Sequence, residues 1–198
     1  MFKIIIFFIF SLIIIKISWP DIFDTNSRKF YRSFAIVKIS WTDIFGTNGH
    51  KFYRFFAIEF LFLLILVNFG YWLKNPFTIF RMITWIILCS SFLLAGFGIY
   101  HLLQGGKPEI RGNIETTTNL VTYGIYKYIR HPLYSSLILL GAVTLIKNPS
   151  LLATSLFSVA TVFLYTTART EEKENILKFG RDYAVYMRRT SMFFPFLS

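Results

Sequence analysis

The sequence predicts an all-α, polytopic integral membrane protein with about five transmembrane helices and a C-terminal helical hairpin. Three observations carry that prediction. The 198 residues are 55% hydrophobic, with a mean hydropathy of +0.54, well above ordinary soluble chains. The apolar residues fall into five long runs. The basic residues are skewed to one set of connecting segments, as the positive-inside rule requires.

The first run is Ile4 to Ile15, "IIIFFIFSLIII", between Lys3 and Lys16. Twelve residues give a helix of roughly 18 Å, shorter than the hydrocarbon core. No small-residue cleavage site follows, so an uncleaved anchor is expected rather than a removed signal peptide. The second run is Phe55 to Leu73, ending on Tyr71 and Trp72 as interfacial aromatics. Glu59 interrupts it, close enough to the basic end to snorkel toward Arg54. A tight turn, Lys74 to Phe77, leads to the third run, Phe77 to Tyr100. The fourth, Pro132 to Ile146, and the fifth, Leu151 to Ala168, are joined by "KNPS" and form the hairpin. The tail after Arg169 is polar and helical at first. Cys89 is the single cysteine, so disulfide frameworks and cysteine zinc sites are excluded. It is expected as a buried thiol on an apolar face.

One internal repeat stands out. "KISWPDIFDTNSRKFYRSFAI" (16–36) recurs as "KISWTDIFGTNGHKFYRFFAI" (38–58), offset by 22 residues. Two units are too few for a solenoid. The segment reads as a tandem duplication that lengthens a connection, or as basic, aromatic stretches on the membrane surface. Residues 1–58 are accordingly taken as an N-terminal extension and 59–198 as the core.

Charge sets orientation. Segments 16–54, 101–132 and 169–198 hold seventeen of the twenty-one Lys and Arg residues; the rest are Lys3, Lys74, Arg81 and Lys147. The rule puts the rich side, including the C-terminus, in the cytosol. It also accounts for most of the +11 net charge without nucleic acid, for which no basic–aromatic motif is present.

The chemistry-bearing residues gather on that side. Because the hairpin arms are antiparallel, Arg130-His131-Pro132 at the start of the fourth run returns near Arg169, Glu171 and Glu172 at the end of the fifth. Pro132 suits the first helical position. It pushes His131 toward an extended conformation, from which it caps the helix. The free N–H groups there suit an anionic group. Gly124 supplies the turn before "YKY". Composition and spacing alone leave two readings open, an enzyme with an interfacial pocket and a small transporter.

The combination is more specific than its parts. "NLVTYGIYKYIRHPLY" (Asn119 to Tyr134), a hairpin, "EE", then "FGRDYAVYMRR" (Phe179 to Arg189) resembles the isoprenylcysteine carboxyl methyltransferase family. Membrane phospholipid N-methyltransferases are similar in their second half. "AGFG" (Ala95 to Gly98) resembles a small-residue motif of the latter. The resemblance covers about residues 95–195. It implies a membrane enzyme that uses S-adenosyl-L-methionine, held in a cytosolic pocket between the loop, the hairpin ends and the C-terminal helix. By position it assigns Leu120, Val121, Tyr126, His131, Pro132, Tyr134 and Glu171 to cofactor binding. Arg130, His131, Arg169 and Glu172 would be catalytic, Arg130 fixing the loop against the acidic pair and Arg169 reaching an acceptor carboxylate. No metal is implied. Ser136 replaces a family glycine and is expected to narrow the pocket; Ile125 replaces a frequent proline.

The implied activity is methyl transfer to a lipophilic acceptor arriving from the bilayer, most like isoprenylcysteine carboxyl O-methylation. Phospholipid, amine or thiol methylation is the alternative, as is a non-catalytic membrane protein that kept the fold. A carboxylate acceptor needs no general base; an amine or thiol does, with His131 or a glutamate as candidate.

Overall fold

A computed structural model describes residues 5–7, 9–12, 49–72, 74, 78–107 and 118–195. Most of the duplicated segment, the turn at 75–77 and the middle of the 101–132 connection lie outside the described residues. So does part of the first run, of which residues 5–7 and 9–12 are helical.

Every described element is helical, apart from one isolated bridge between Ile129 and Ser191. They are α1 (Gly49–Asn68), α2 (Ile79–Gly105), α3 (Pro132–Lys147), α4 (Leu151–Phe179) and α5 (Arg181–Arg189), with short 3₁₀ turns at Phe69–Tyr71 and Gly124–Lys127. Three helical stretches are long and apolar enough to cross a membrane: His50–Tyr71, Arg81–Gly105 and Leu151–Phe179. The fourth apolar run is helical too, but α3 has 16 residues and spans only roughly 24 Å. The fifth run continues as one helix well past Ala168, because neither Pro nor Gly intervenes before Gly180. Gly180 breaks it at φ +58°, a conformation that favours glycine. Ser150 starts α4 by accepting a hydrogen bond from the Ala153 amide at 3.1 Å.

Helices α1 to α4 form a bundle in which consecutive helices alternate in direction. α1 packs along α4, and α3 packs against α1, α2 and α4. Small residues set the close approach. Ala57 and Leu61 of α1 meet Ala160, Leu164 and Ala168 of α4, with Tyr134 and Ile138 of α3 completing the cluster. Lipid is as apolar as leucine, so such packing stabilises by close van der Waals contact rather than by escape from water. The first run joins this layer: Phe10 stacks on Phe62, and Ser11 Oγ donates to Glu59 at 2.8 Å.

α2 touches mainly α3. Gly98 lies opposite Pro132 and Leu133, where an added Cβ would come within 3.2 Å. Ser91 Oγ donates to the Ser136 carbonyl at 2.8 Å. The outer face of α2 exposes Ile79, Ile83, Ile86, Phe92 and Leu93, as a face turned to lipid does. Cys89 is on this outer side and exposed, contrary to the buried thiol expected: α2 has one packed side, and the cysteine is off it.

Candidate active site

The site begins with a backbone device. Pro132 takes the first turn of α3, as its fixed φ favours. His131 occupies the N-cap position, but its side chain makes no capping bond and its backbone (φ −121°, ψ 62°) is not extended. This corrects the sequence expectation. The ring is turned inward instead, where carboxylates offer a stronger partner than a helix amide.

Two glutamates meet it. His131 Nδ1 lies 3.7 Å from Glu171 and Nε2 lies 3.7 Å from Glu172. Tyr134, one turn further on, donates to Glu171 and stacks on the His131 ring, centroids 5.6 Å apart. Arg130 Nε donates to Glu172 at 2.7 Å. Its guanidinium also bonds the Met187 carbonyl at 3.1 Å and the Thr190 carbonyl. Arg130 thus ties the start of α3, the acidic turn of α4 and the end of α5 into one unit. Glu172 is 2% exposed, so this is a buried pair, whose value depends on both partners remaining.

The C-terminal tail straps the loop down. The Arg130 amide donates to the Ser191 carbonyl at 2.9 Å, the His131 amide to Met192 at 3.1 Å, and the Ser191 amide to Tyr128 at 3.1 Å. Ser135 Oγ donates to the Phe193 carbonyl at 2.6 Å. From α5, Tyr186 donates to the Tyr126 carbonyl at 2.7 Å. Gly124 turns the loop at φ +61°, against the His101 ring.

These elements enclose a cavity of about 620 Å³, within the range of small-molecule sites. Of the residues singled out in the sequence, Leu120, Val121, Tyr126, Arg130, His131, Pro132, Tyr134 and Glu171 line it. Glu172 stands behind them, holding Arg130. Arg169 is not in the wall: its side chain is 55% exposed, 3.5 Å from Glu172 and over the Tyr165 ring. Ser136 is absent from the wall as well. Its hydroxyl donates to its own helix at Leu133, 2.7 Å away, so it does not narrow the cavity as expected.

Further wall residues had no signal in the sequence motifs. His50, Lys51 and Arg54 enter from the start of α1, and His50 Nδ1 lies 2.8 Å from Glu174. They belong to the second copy of the repeat, whose end, residues 49–58, forms about the first three turns of α1. Helical spacing was the available clue, since 50, 51 and 54 share one face. Tyr183 and Tyr186 of α5 close another side. Burial pushes the Tyr183 phenol up to about 12. Burial, then the Glu171 charge, raises Tyr126; burial, then neighbouring tyrosines, raises Tyr186. All three remain neutral hydrogen-bonding groups at physiological pH. His131 Nε2 and, behind the wall, Glu172 Oε2 are buried and lack hydrogen-bond partners among the described residues. No cluster of three or more metal-ligating side chains occurs among the described residues.

This geometry coincides with a family signature. Residues 109–178 match the isoprenylcysteine carboxyl methyltransferase (ICMT) family. The resemblance read from the motifs is thereby borne out over that segment, which runs from the loop through the hairpin to the acidic turn. Curated relatives agree. A methanethiol S-methyltransferase of Crocosphaera subtropica is 30% identical over 112 residues, 57% of this chain and 43% of its own. Methanethiol S-methyltransferase 1 of Bradyrhizobium diazoefficiens is 29% identical over 112 residues, covering 56% and 38%. Protein-S-isoprenylcysteine O-methyltransferase B of Arabidopsis thaliana is 27% identical over 132 residues, covering 65% and 62%. The chain therefore spans less than half of either methanethiol relative and under two thirds of the plant one. No solved structure matches.

Proposed function

We propose that the chain is an integral membrane methyltransferase that uses S-adenosyl-L-methionine and methylates a lipophilic acceptor, most like isoprenylcysteine carboxyl O-methylation. One observation carries the reading. Arg130, His131, Tyr134 and Glu171 converge on a single cavity, inside the segment that matches the ICMT family.

The cavity fits such a cofactor. It offers a carboxylate, Glu171, for an ammonium or ribose hydroxyl. It offers apolar walls at Leu120, Val121 and Pro132. When bound, the cofactor supplies a methyl carbon made electrophilic by its sulfonium. The chain's own part is alignment. The Arg130–Glu172 pair fixes the loop, Tyr134 and His131 hold Glu171, and α5 with its strap excludes water. Arg169, at the rim, would meet an acceptor carboxylate. The acceptor would come sideways from lipid, past Leu133 and Leu137 of α3. In this reading the first run and α3 complete five spans, the cavity faces the cytosol, and residues 1–58 extend a core of 59–198.

A second reading has its own support. The methanethiol S-methyltransferase relatives favour a thiol acceptor, which must lose a proton, and His131 would take it. Phospholipid or amine acceptors, and a non-catalytic relict, remain alternatives to be tested. Calorimetric titration of S-adenosyl-L-methionine into detergent-solubilised protein, beside Glu171→Ala, decides between enzyme and relict. Saturable binding lost in the variant supports the enzyme; a well-folded wild type that binds nothing overturns it. Product analysis with prenylcysteine and with methanethiol then separates the acceptors.

A further inference from the structure

The end of the bundle opposite the cavity has a different chemistry. It carries Lys74, Arg81 and Lys147, and no Asp or Glu accompanies them among the described residues. Each cation rests on something other than a carboxylate. Lys74 Nζ sits 4.3 Å from the centre of the Tyr71 ring. Arg81 donates to the Tyr71 carbonyl at 3.3 Å. Lys147 Nζ sits 4.5 Å from the centre of the Trp85 ring.

Lys147 is the informative one. It is 7% exposed, and its Nζ has no hydrogen-bond partner among the described residues. Arg81 precedes Trp85 by four residues in α2 and so shares the face of that helix on which Lys147 rests. The indole N–H of Trp72 is buried and likewise without a partner, and its ring stands edge-on to Trp85, centroids 6.2 Å apart. Two buried donors, one of them cationic, thus belong to side chains that both contact Trp85. An ordinary interfacial anchor keeps its polar head in water; these heads are withdrawn. A buried donor without an acceptor is costly, and more so when it is a cation. One group satisfies both donors: a phosphate oxygen, which accepts from the indole and neutralises the lysine.

We propose that Trp72, Lys147 and Arg81 form a phosphate-binding site at the end of the bundle remote from the cavity, fitted to the headgroup of an anionic phospholipid. The site lies where α2, α3 and the turn after α1 meet. A lipid bound there would join the start of α2 to the end of α3 and the turn after α1.

The test uses the full-length protein in detergent. Retention of phosphatidylglycerol and of phosphatidylcholine is compared by native mass spectrometry, for wild type, Lys147→Met and Arg81→Gln. Wild type should retain phosphatidylglycerol in preference, and each substitution should lower that retention about fivefold, the usual effect of one basic residue on anionic lipid. Inorganic phosphate is then titrated in. Displacement of the lipid assigns the site to free phosphate; resistance assigns it to the headgroup. Melting in neutral detergent shows that each variant is folded, and Arg81→Gln serves alone if Lys147→Met is not. Equal retention of the two lipids by wild type, or unchanged retention in a folded variant, overturns the proposal.

Discussion

The two ends of the bundle use the same helices but opposite polar strategies. At the cavity end, Arg130, His131 and Tyr134 are each met by a carboxylate, and the tail adds backbone bonds to the same loop. At the remote end, Asn68 does the joining. Its amide donates to the Thr144 carbonyl at 2.9 Å and accepts from Asn148 at 3.3 Å, and the nearby cations lack acidic partners among the described residues. The first end holds a cavity open against the collapse of its walls. The second clamps helix ends together. Paired charges on separate elements fix a hollow; a single buried amide seals a contact. The difference teaches that polar residues near a membrane interface are read by their partners, not by their number.

The sharpest way to break the comparison is Glu172→Ala. It strands the buried Arg130 charge and should cost about 3–5 kcal/mol. Thermal melting should show the loss, and cofactor binding should vanish with it. Glu171→Gln is the more selective change. The carboxylate faces the cavity and is shared by Tyr134 and His131, so losing its charge should weaken cofactor binding by about 1.5–3 kcal/mol, read by calorimetry, with the melting temperature nearly kept. Asn68→Ala tests the other end. It should destabilise by about 1–3 kcal/mol and leave cofactor affinity unchanged; a parallel loss of affinity would mean the two ends are not independent.

Gly124→Ala probes the loop itself. At φ +61°, where an added Cβ would also run into the His101 ring, a methyl group should cost more than about 1–2 kcal/mol, the backbone strain alone, seen in melting and in weaker cofactor binding. Arg169→Gln should have the smallest effect on stability, under about 1 kcal/mol, because its side chain is largely exposed and approaches Glu172 only to 3.5 Å. If Arg169 meets the acceptor carboxylate, the same variant raises the acceptor KM while cofactor affinity stays fixed.

Much of the cavity was legible in the sequence because local rules set it. Pro132 after a histidine starts a helix, "KNPS" folds the hairpin back, and antiparallel arms must bring residue 130 near residue 172. What went unread depended on packing across long separations. His50, Lys51 and Arg54 look like part of a spare repeat until α1 lies along α4 and sets His50 beside Glu174. Ser136 looks like a pocket residue until its hydroxyl is seen bonded within its own helix.

The sequence by itself determined that the chain is helical and apolar, and where the acid and base residues fall along its apolar runs. Those follow from composition and from the three-to-four-residue period of a helix. Only the tertiary structure decided which face of each helix meets another and which meets lipid. In a bilayer both faces are apolar, so hydrophobicity does not distinguish them. Small residues such as Ala57 and Ala160, and a few buried hydrogen bonds, make that choice.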